Sequence, residues 1–100
     1  MNDKVAIQPE HAVLVKTILQ RYLPTHTTLW VFGSRVKGKS KKFSDLDIAI
    51  DCGERVSTAV MANIAFDLEE SDLPYKVDVV DLNAVSETFK KIIAKDGLAL

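Results

Sequence analysis

Four residues in the first half of this chain have the types and the spacing needed to handle a phosphate-bearing ligand. Gly33 and Ser34 end an apolar run, and after ten intervening residues the chain reads Asp45-Leu46-Asp47. Backbone N–H groups at such a turn can donate hydrogen bonds to phosphate oxygens. Side chains alternate along a strand, so Asp45 and Asp47 face the same way, and their carboxylates repel unless a hard cation such as Mg²⁺ lies between them. The pattern therefore predicts a site that moves a phosphorus-centred group.

The residues on either side of this motif favour two strands. A β-prone run at 30–32 precedes the glycine, and the apolar run 48–50 follows the acidic pair. The simpler alternative is a hairpin-like loop that ends in an Asx turn and binds nothing. A glycine turn beside two carboxylates on one strand face favours the ligand site.

The string GSRVKGKSKKFSDLDIAID resembles the glycine-serine and paired-aspartate motif of the DNA polymerase β-like nucleotidyltransferase superfamily. In length and form the chain is most similar to the minimal nucleotidyltransferases, the MNT-domain proteins, over roughly Val31 to Leu82. The resemblance implies transfer of a nucleotide from an NTP, with Mg²⁺, onto a hydroxyl acceptor. Many MNT proteins resemble antitoxins that AMPylate a helical HEPN partner, so the resemblance also implies ATP and such a protein as partners.

A third carboxylate is expected from a later strand. Asp78 lies among β-branched residues, where an acid is costly to bury without a task or a partner, although a solvated face would also explain it. Asp81 faces the opposite way and is the second choice. The resemblance implies that a third aspartate comes from a neighbouring strand, and position 78 matches it. The predicted metal ligands and catalytic residues are therefore Asp45, Asp47 and Asp78, and Asp78 is the candidate for drawing a proton from the acceptor hydroxyl.

A basic segment follows the glycine turn. The predicted nucleotide-binding residues are Gly33, Ser34, Arg35 and Lys37, because the turn lets the backbone approach phosphates and the cations can add charge-assisted contacts. The basic residues nearer position 42 are equally explained as a solvated face. A nucleic-acid surface is disfavoured, since the segment lacks interleaved aromatic residues for base stacking.

Composition limits the class of protein. The 100 residues are 47% hydrophobic and 27% charged, with a formal net charge of −1, which indicates one soluble globular domain over residues 1–100. Cys52 is the only cysteine, so no intrachain disulfide can form. No apolar run approaches the length of a membrane span, and the N-terminus does not resemble a signal peptide. We therefore expect a cytoplasmic protein that acts without a membrane.

Hydrophobic periodicity and turn residues predict an α/β (α+β) fold with helices packed on a small mixed β-sheet. The predicted order is α-β-β-α-β-α, with a helix from Pro9 to the stop at Pro24, strands at 29–32, 46–51 and 76–82, and helices at about 56–70 and from Ser86 to Gly97. The prediction places Phe66 and Ile92 in the core with Trp30 and Phe32. His11 and His26 have no metal-ligand spacing and are expected at the surface.

Three functions are compatible with these residues. The first is an adenylyltransferase that modifies a tightly associated helical partner, and the filled carboxylate positions favour it. The second is a non-catalytic nucleotide-binding module that neutralises its partner by contact. The third is a transferase acting on a small molecule. Because the sequence shows no second lobe to bind an acceptor, we expect the acceptor surface to come from another protein or from a second copy in a homo-oligomer.

Overall fold

The computed structural model describes residues 7–33 and 45–100, and within these ranges the chain forms three helices and four strands. In chain order these are α1 (Pro9–Gln20), β1 (Thr28–Phe32), β2 (Leu46–Asp51), α2 (Thr58–Glu69), β3 (Val77–Asp81), α3 (Glu87–Asp96) and β4 (Leu98–Ala99). The α+β fold class predicted from the sequence is confirmed.

Local sequence signals account for where the helices begin. Pro9 occupies the first turn of α1, where its missing N–H is not needed. Ser57 and Ser86 precede α2 and α3, and each side-chain oxygen accepts a hydrogen bond of 3.2 Å from the backbone N–H three residues later. The helix predicted from about residue 56 therefore begins slightly later, at the residue after its serine cap.

The strands form one sheet in the order β3-β2-β1-β4. β1 pairs antiparallel with β2 and with β4, whereas β2 and β3 are parallel neighbours connected through α2. β4 was not predicted, because a two-residue strand after Gly97 has no periodicity that a sequence pattern can show.

Both faces of the sheet are covered, and they carry different clusters. The larger cluster packs α1 and α2 on one face, with Val15, Ile18 and Ile64 among its fully buried members. The smaller cluster packs α3 on the other face, where Ile93 is buried. Trp30 and Phe32 belong to this smaller cluster, as predicted.

Two predicted core residues are exposed instead. Phe66 is 62% exposed and Ile92 is 48% exposed. The buried residues of α2, Ile64 and Leu68, are four apart, so Phe66 midway between them points to the other side of the helix. Ile93 is the buried residue of α3, and Ile92 lies about 100° away around the helix axis.

No helix among the described residues is long and apolar enough to cross a membrane.

Candidate active site

The sheet register brings the predicted acidic residues together at one end of β2 and β3. Asp47 is the register partner of Phe32 on antiparallel β1 and of Asp78 on parallel β3. Register partners on neighbouring strands lie on the same face of a sheet, about 4.8 Å apart in the pairing direction. Asp45, two residues before Asp47, precedes β2 on that same side. The site therefore lies on the face covered by α3.

Gly33 directly follows β1 and borders Asp47. Its φ angle is +80°, a conformation that residues with a Cβ rarely adopt. A Cβ built on Gly33 would overlap the Oδ2 atom of Asp47. This position therefore requires glycine for two independent reasons, its backbone angle and its close approach to a carboxylate.

Asp47 is the electrostatic centre of the group. Burial raises the pKa of the Asp47 carboxyl above its ordinary value, and the negative charges of Asp78 and then Asp45 raise that pKa further. Repulsion from Asp78 and Asp45 therefore disfavours the charged form of Asp47. A bound cation would remove this repulsion.

Asp78 is partly exposed and has a basic neighbour that the sequence interpretation missed. The Lys76 Nζ lies 3.5 Å from Oδ1 of Asp78, and both side chains are substantially exposed, at 71% and 45%. Such a surface pair is worth less than about 1 kcal/mol, so Lys76 does not lock the carboxylate in place. The signal that could have found this lysine is its position two residues before Asp78, which places both side chains on the same side of an extended segment.

Asp81, the second choice for the third carboxylate, lies in a different environment. It is only 5% exposed, and its two oxygens accept hydrogen bonds from the backbone N–H groups of Val56, at 2.7 Å, and Asn83, at 2.9 Å. Its register partner is Ile50, near the other end of β2. The structure therefore brings Asp78, and not Asp81, beside Asp47.

The donor set suits a hard divalent ion that also contacts a nucleotide. Carboxylate oxygens are the protein ligands that Mg²⁺ prefers, and Mg²⁺ is usually held by one or two carboxylates together with waters and substrate phosphates. Across residues 7–33 and 45–100, no three His, Cys, Asp or Glu side chains are gathered closely enough to hold a metal by themselves. The arrangement thus fits a site that is completed by the phosphates of a ligand.

Ser34, Arg35 and Lys37, the other predicted nucleotide-binding residues, lie outside the residues that the structure describes. Their assignment stays a prediction.

The family model described as "Polymerase beta, Nucleotidyltransferase" matches residues 14–100. The chain belongs to this family. Its members generally use a divalent metal, which agrees with the two carboxylates, Asp78 and Asp45, whose charges raise the pKa of Asp47.

Similar proteins indicate which members of the family this chain resembles most. The chain is 47% identical over 89 residues to the probable protein adenylyltransferase MntA of Haemophilus influenzae, which covers 89% of this chain and 77% of that protein. A chain of a toxin–antitoxin complex crystallised with AMP-PNP is similar in structure, with a TM-score of 0.75 and 25% identity over 92% of this chain and 72% of that one. This nucleotidyltransferase is therefore a homologue of MntA, and the resemblance to MNT proteins is confirmed.

A third comparison supports the fold. A chain from the complex of a tri-AMPylated HEPN toxin with an MNT antitoxin, from Shewanella oneidensis, matches with a TM-score of 0.71 and 22% identity, over 93% of this chain and 71% of that chain.

Proposed function

We propose that this nucleotidyltransferase transfers AMP from ATP, with Mg²⁺, to a hydroxyl group of a HEPN-type partner protein and thereby acts as the antitoxin of the pair. The observation that carries the proposal is the register of Asp47 with Asp78 immediately beside the Gly33 turn. The 47% identity to a probable protein adenylyltransferase supports a protein as the acceptor. ATP and a HEPN-type protein as partners, and the cytoplasm as the location, belong to the same proposal.

One group of residues in this proposal binds the phosphates, and a second group binds the divalent ion. The backbone at Gly33 and the hydroxyl of Ser34 would bind the β- and γ-phosphates, assisted by Arg35 and Lys37. Asp45, Asp47 and Asp78 would hold a divalent ion, which when bound offsets phosphate charge and polarises the reacting oxygens.

Asp78 is placed to receive the proton. Its side chain is 45% exposed and belongs to β3, which is separated from β1 and the Gly33 turn by β2, so an acceptor hydroxyl can approach it. As the acceptor oxygen forms its bond to the α-phosphorus, its proton passes to Asp78, and the bond from the α-phosphorus to the bridging oxygen breaks. Pyrophosphate leaves with that oxygen.

The test uses α-labelled ATP, Mg²⁺ and the purified HEPN-type partner. We expect label on the partner with the wild-type chain, no label after chelation of the divalent ion, and no label with the Asp45→Asn/Asp47→Asn double variant. Circular dichroism checks that the double variant is folded. A wild-type chain that labels an aminoglycoside but not the partner would contradict the choice of acceptor.

The same double variant separates catalysis from neutralisation by contact. If the variant relieves the partner's toxicity in cells as fully as the wild type does, the chain acts as a binding module and the enzymatic proposal is wrong.

A further inference from the structure

Lys76 is a basic residue that pairs with the candidate active site. Its Nζ atom lies 3.5 Å from Oδ1 of Asp78. Among residues 7–33 and 45–100, no other basic side chain forms an ion pair with Asp45, Asp47 or Asp78. Neither phosphate binding nor proton transfer, as proposed above, uses this lysine.

The register of β2 and β3 fixes where Lys76 stands. The backbone N–H of Leu46 donates a hydrogen bond of 2.9 Å to the carbonyl oxygen of Lys76, and Asp47 is the register partner of Asp78. The same register, continued two residues towards the start of each strand, places Lys76 opposite Asp45. Side chains at these positions share one face, about 4.8 Å apart across the strands and about 6.6 Å apart along them. Lys76 therefore occupies the fourth corner of a square whose other three corners carry carboxylates.

The ion pair at this corner is weak enough to be displaced. Both side chains are substantially exposed, so water screens the attraction between them. A divalent ion at about 2.1 Å from a carboxylate oxygen carries twice the charge of the ammonium at a shorter distance than 3.5 Å. In the same medium, its Coulomb attraction to that oxygen is about three times as large. A divalent ion can therefore take the place of the lysine at Asp78.

Lys76 leaves part of the negative charge of the site uncompensated. With the lysine in place, burial and the charges of Asp78 and then Asp45 still raise the pKa of Asp47. Negative charge therefore remains for a stronger cation to balance.

We propose that Lys76 is a counter-ion of the acidic site, and that a divalent ion displaces it from Asp78 when it binds. The ammonium opposes the ion in two ways, because it competes for Asp78 and repels the ion once bound. Lys76 thus lowers the affinity of the nucleotide-free site, so the ion binds mainly together with nucleotide phosphates, which supply further ligands. This inference rests on the proposed function, because it concerns the divalent ion at the same carboxylates.

The test measures Mn²⁺ binding by water-proton relaxation, without nucleotide or partner. Lys76→Met removes the charge and keeps a long unbranched side chain, whereas Lys76→Arg keeps the charge. The matched control is Lys16→Met, which makes the same change of net charge on α1, on the opposite face of the sheet. Asp47→Asn identifies the Mn²⁺ that is bound at the carboxylates.

We expect Lys76→Met to bind Mn²⁺ about threefold to tenfold more tightly than the wild type, with Lys76→Arg and Lys16→Met within about twofold of it. Equal tightening by Lys16→Met would overturn the inference, because the effect would then come from net charge alone. Unchanged or weaker binding by Lys76→Met would also overturn it, since the lysine would then not oppose the ion.

Salt provides a second readout, which a purely steric role of the side chain would not change. The Debye length falls from about 10 Å at 0.1 M to about 3 Å at 1 M salt, so an exposed charge acts over a shorter distance. The ratio of the Mn²⁺ affinities of Lys76→Met and the wild type should therefore fall towards one in 1 M KCl. A ratio that is the same at both concentrations would show that shape, and not charge, causes the difference.

Binding without nucleotide also separates this inference from the proposed function. A wild-type chain that binds Mn²⁺ but transfers no AMP would refute the proposed reaction and leave the role of the lysine intact. Mn²⁺ binding that depends on Asp47 but not on Lys76 would refute the inference alone. No Mn²⁺ binding by either the wild type or Lys76→Met would refute the inference, and labelling of the partner would then decide the reaction by itself.

Discussion

The two ends of β2 place the same residue type in opposite electrostatic situations. Asp47 and Asp51 are four residues apart on one strand and face the same side of the sheet. Burial and two neighbouring carboxylates raise the pKa of Asp47. Hydrogen bonds from the Asn83 amide and from the Gly53 backbone N–H, both 2.9 Å, lower the pKa of Asp51. The difference comes from the partners that each end of the strand supplies.

The same contrast holds on β3. Asp81 uses both oxygens to bind backbone N–H groups and so attaches the end of β3 to the segment before α2. Among residues 7–33 and 45–100, Asp78 pairs instead with one exposed lysine, Lys76. One end of the strand pair is therefore a hydrogen-bonded structural network, while the other keeps carboxylates available for a ligand.

The largest expected effect is on the rate of AMP transfer, which tests whether the two ends of β2 differ in function. Asp47→Asn should lower the rate of AMP transfer by about a thousandfold or more, because it removes a charged metal ligand at the centre of the group. Asp51→Asn, the matched change at the other end of β2, should keep the rate within about threefold of wild type, since its amide can still accept hydrogen bonds. Initial rates with saturating ATP measure both. Equal losses in the two variants would show that the two ends do not differ in function.

A smaller effect is expected on the stability of the folded protein, where Asp81 should matter more than the candidate catalytic residue Asp78. Asp81→Ala should lower the free energy of unfolding by about 2–4 kcal/mol, because it leaves two backbone N–H groups near a buried position without their acceptor. Asp78→Ala should change that free energy by less than about 1 kcal/mol, since it removes one exposed ion pair. Urea unfolding at neutral pH measures the difference. A greater loss of stability in Asp78→Ala than in Asp81→Ala would contradict the structural assignment.

The smallest effect is on the pH dependence of stability. The pKa of Asp51 is lowered below its ordinary value of 3.8 in the folded protein, so its stabilisation is present above that pH and is lost as the pH falls towards the folded pKa. The pKa of Asp47 is raised, so the folded protein holds its proton longer and stability falls as the pH rises from 3.8 through the raised value.

Unfolding free energies measured from about pH 3 to about pH 6 separate the two contributions. We expect Asp51→Asn to flatten the loss of stability on the acid side, and Asp47→Asn to remove the opposing fall just above pH 3.8. Identical curves for the wild type and both variants would show that neither carboxylate is perturbed as described.

Much of the fold was predictable because its signals are local. Strand β2 runs from Leu46 to Asp51 as predicted, and Ser86 caps α3 as predicted, since an alternating apolar run and a serine before a helix are read within a few residues. The predictions that Phe66 and Ile92 are buried were wrong, because hydrophobicity alone does not reveal which face of a helix packs against the sheet. The serine and basic residues after Gly33 lie outside the described residues, so their part in the candidate site stays a prediction.

The three helices, the first three strands, the family and the glycine turn near a pair of aspartates could all be predicted from the sequence, because each depends on residues close together in the chain. The three-dimensional fold was needed to show that Asp78 rather than Asp81 lies beside Asp47, and that Lys76 pairs with Asp78. The physical reason is strand register: pairing between β2 and β3 joins residues about thirty positions apart, and a shift of one residue would turn the opposite set of side chains towards the site.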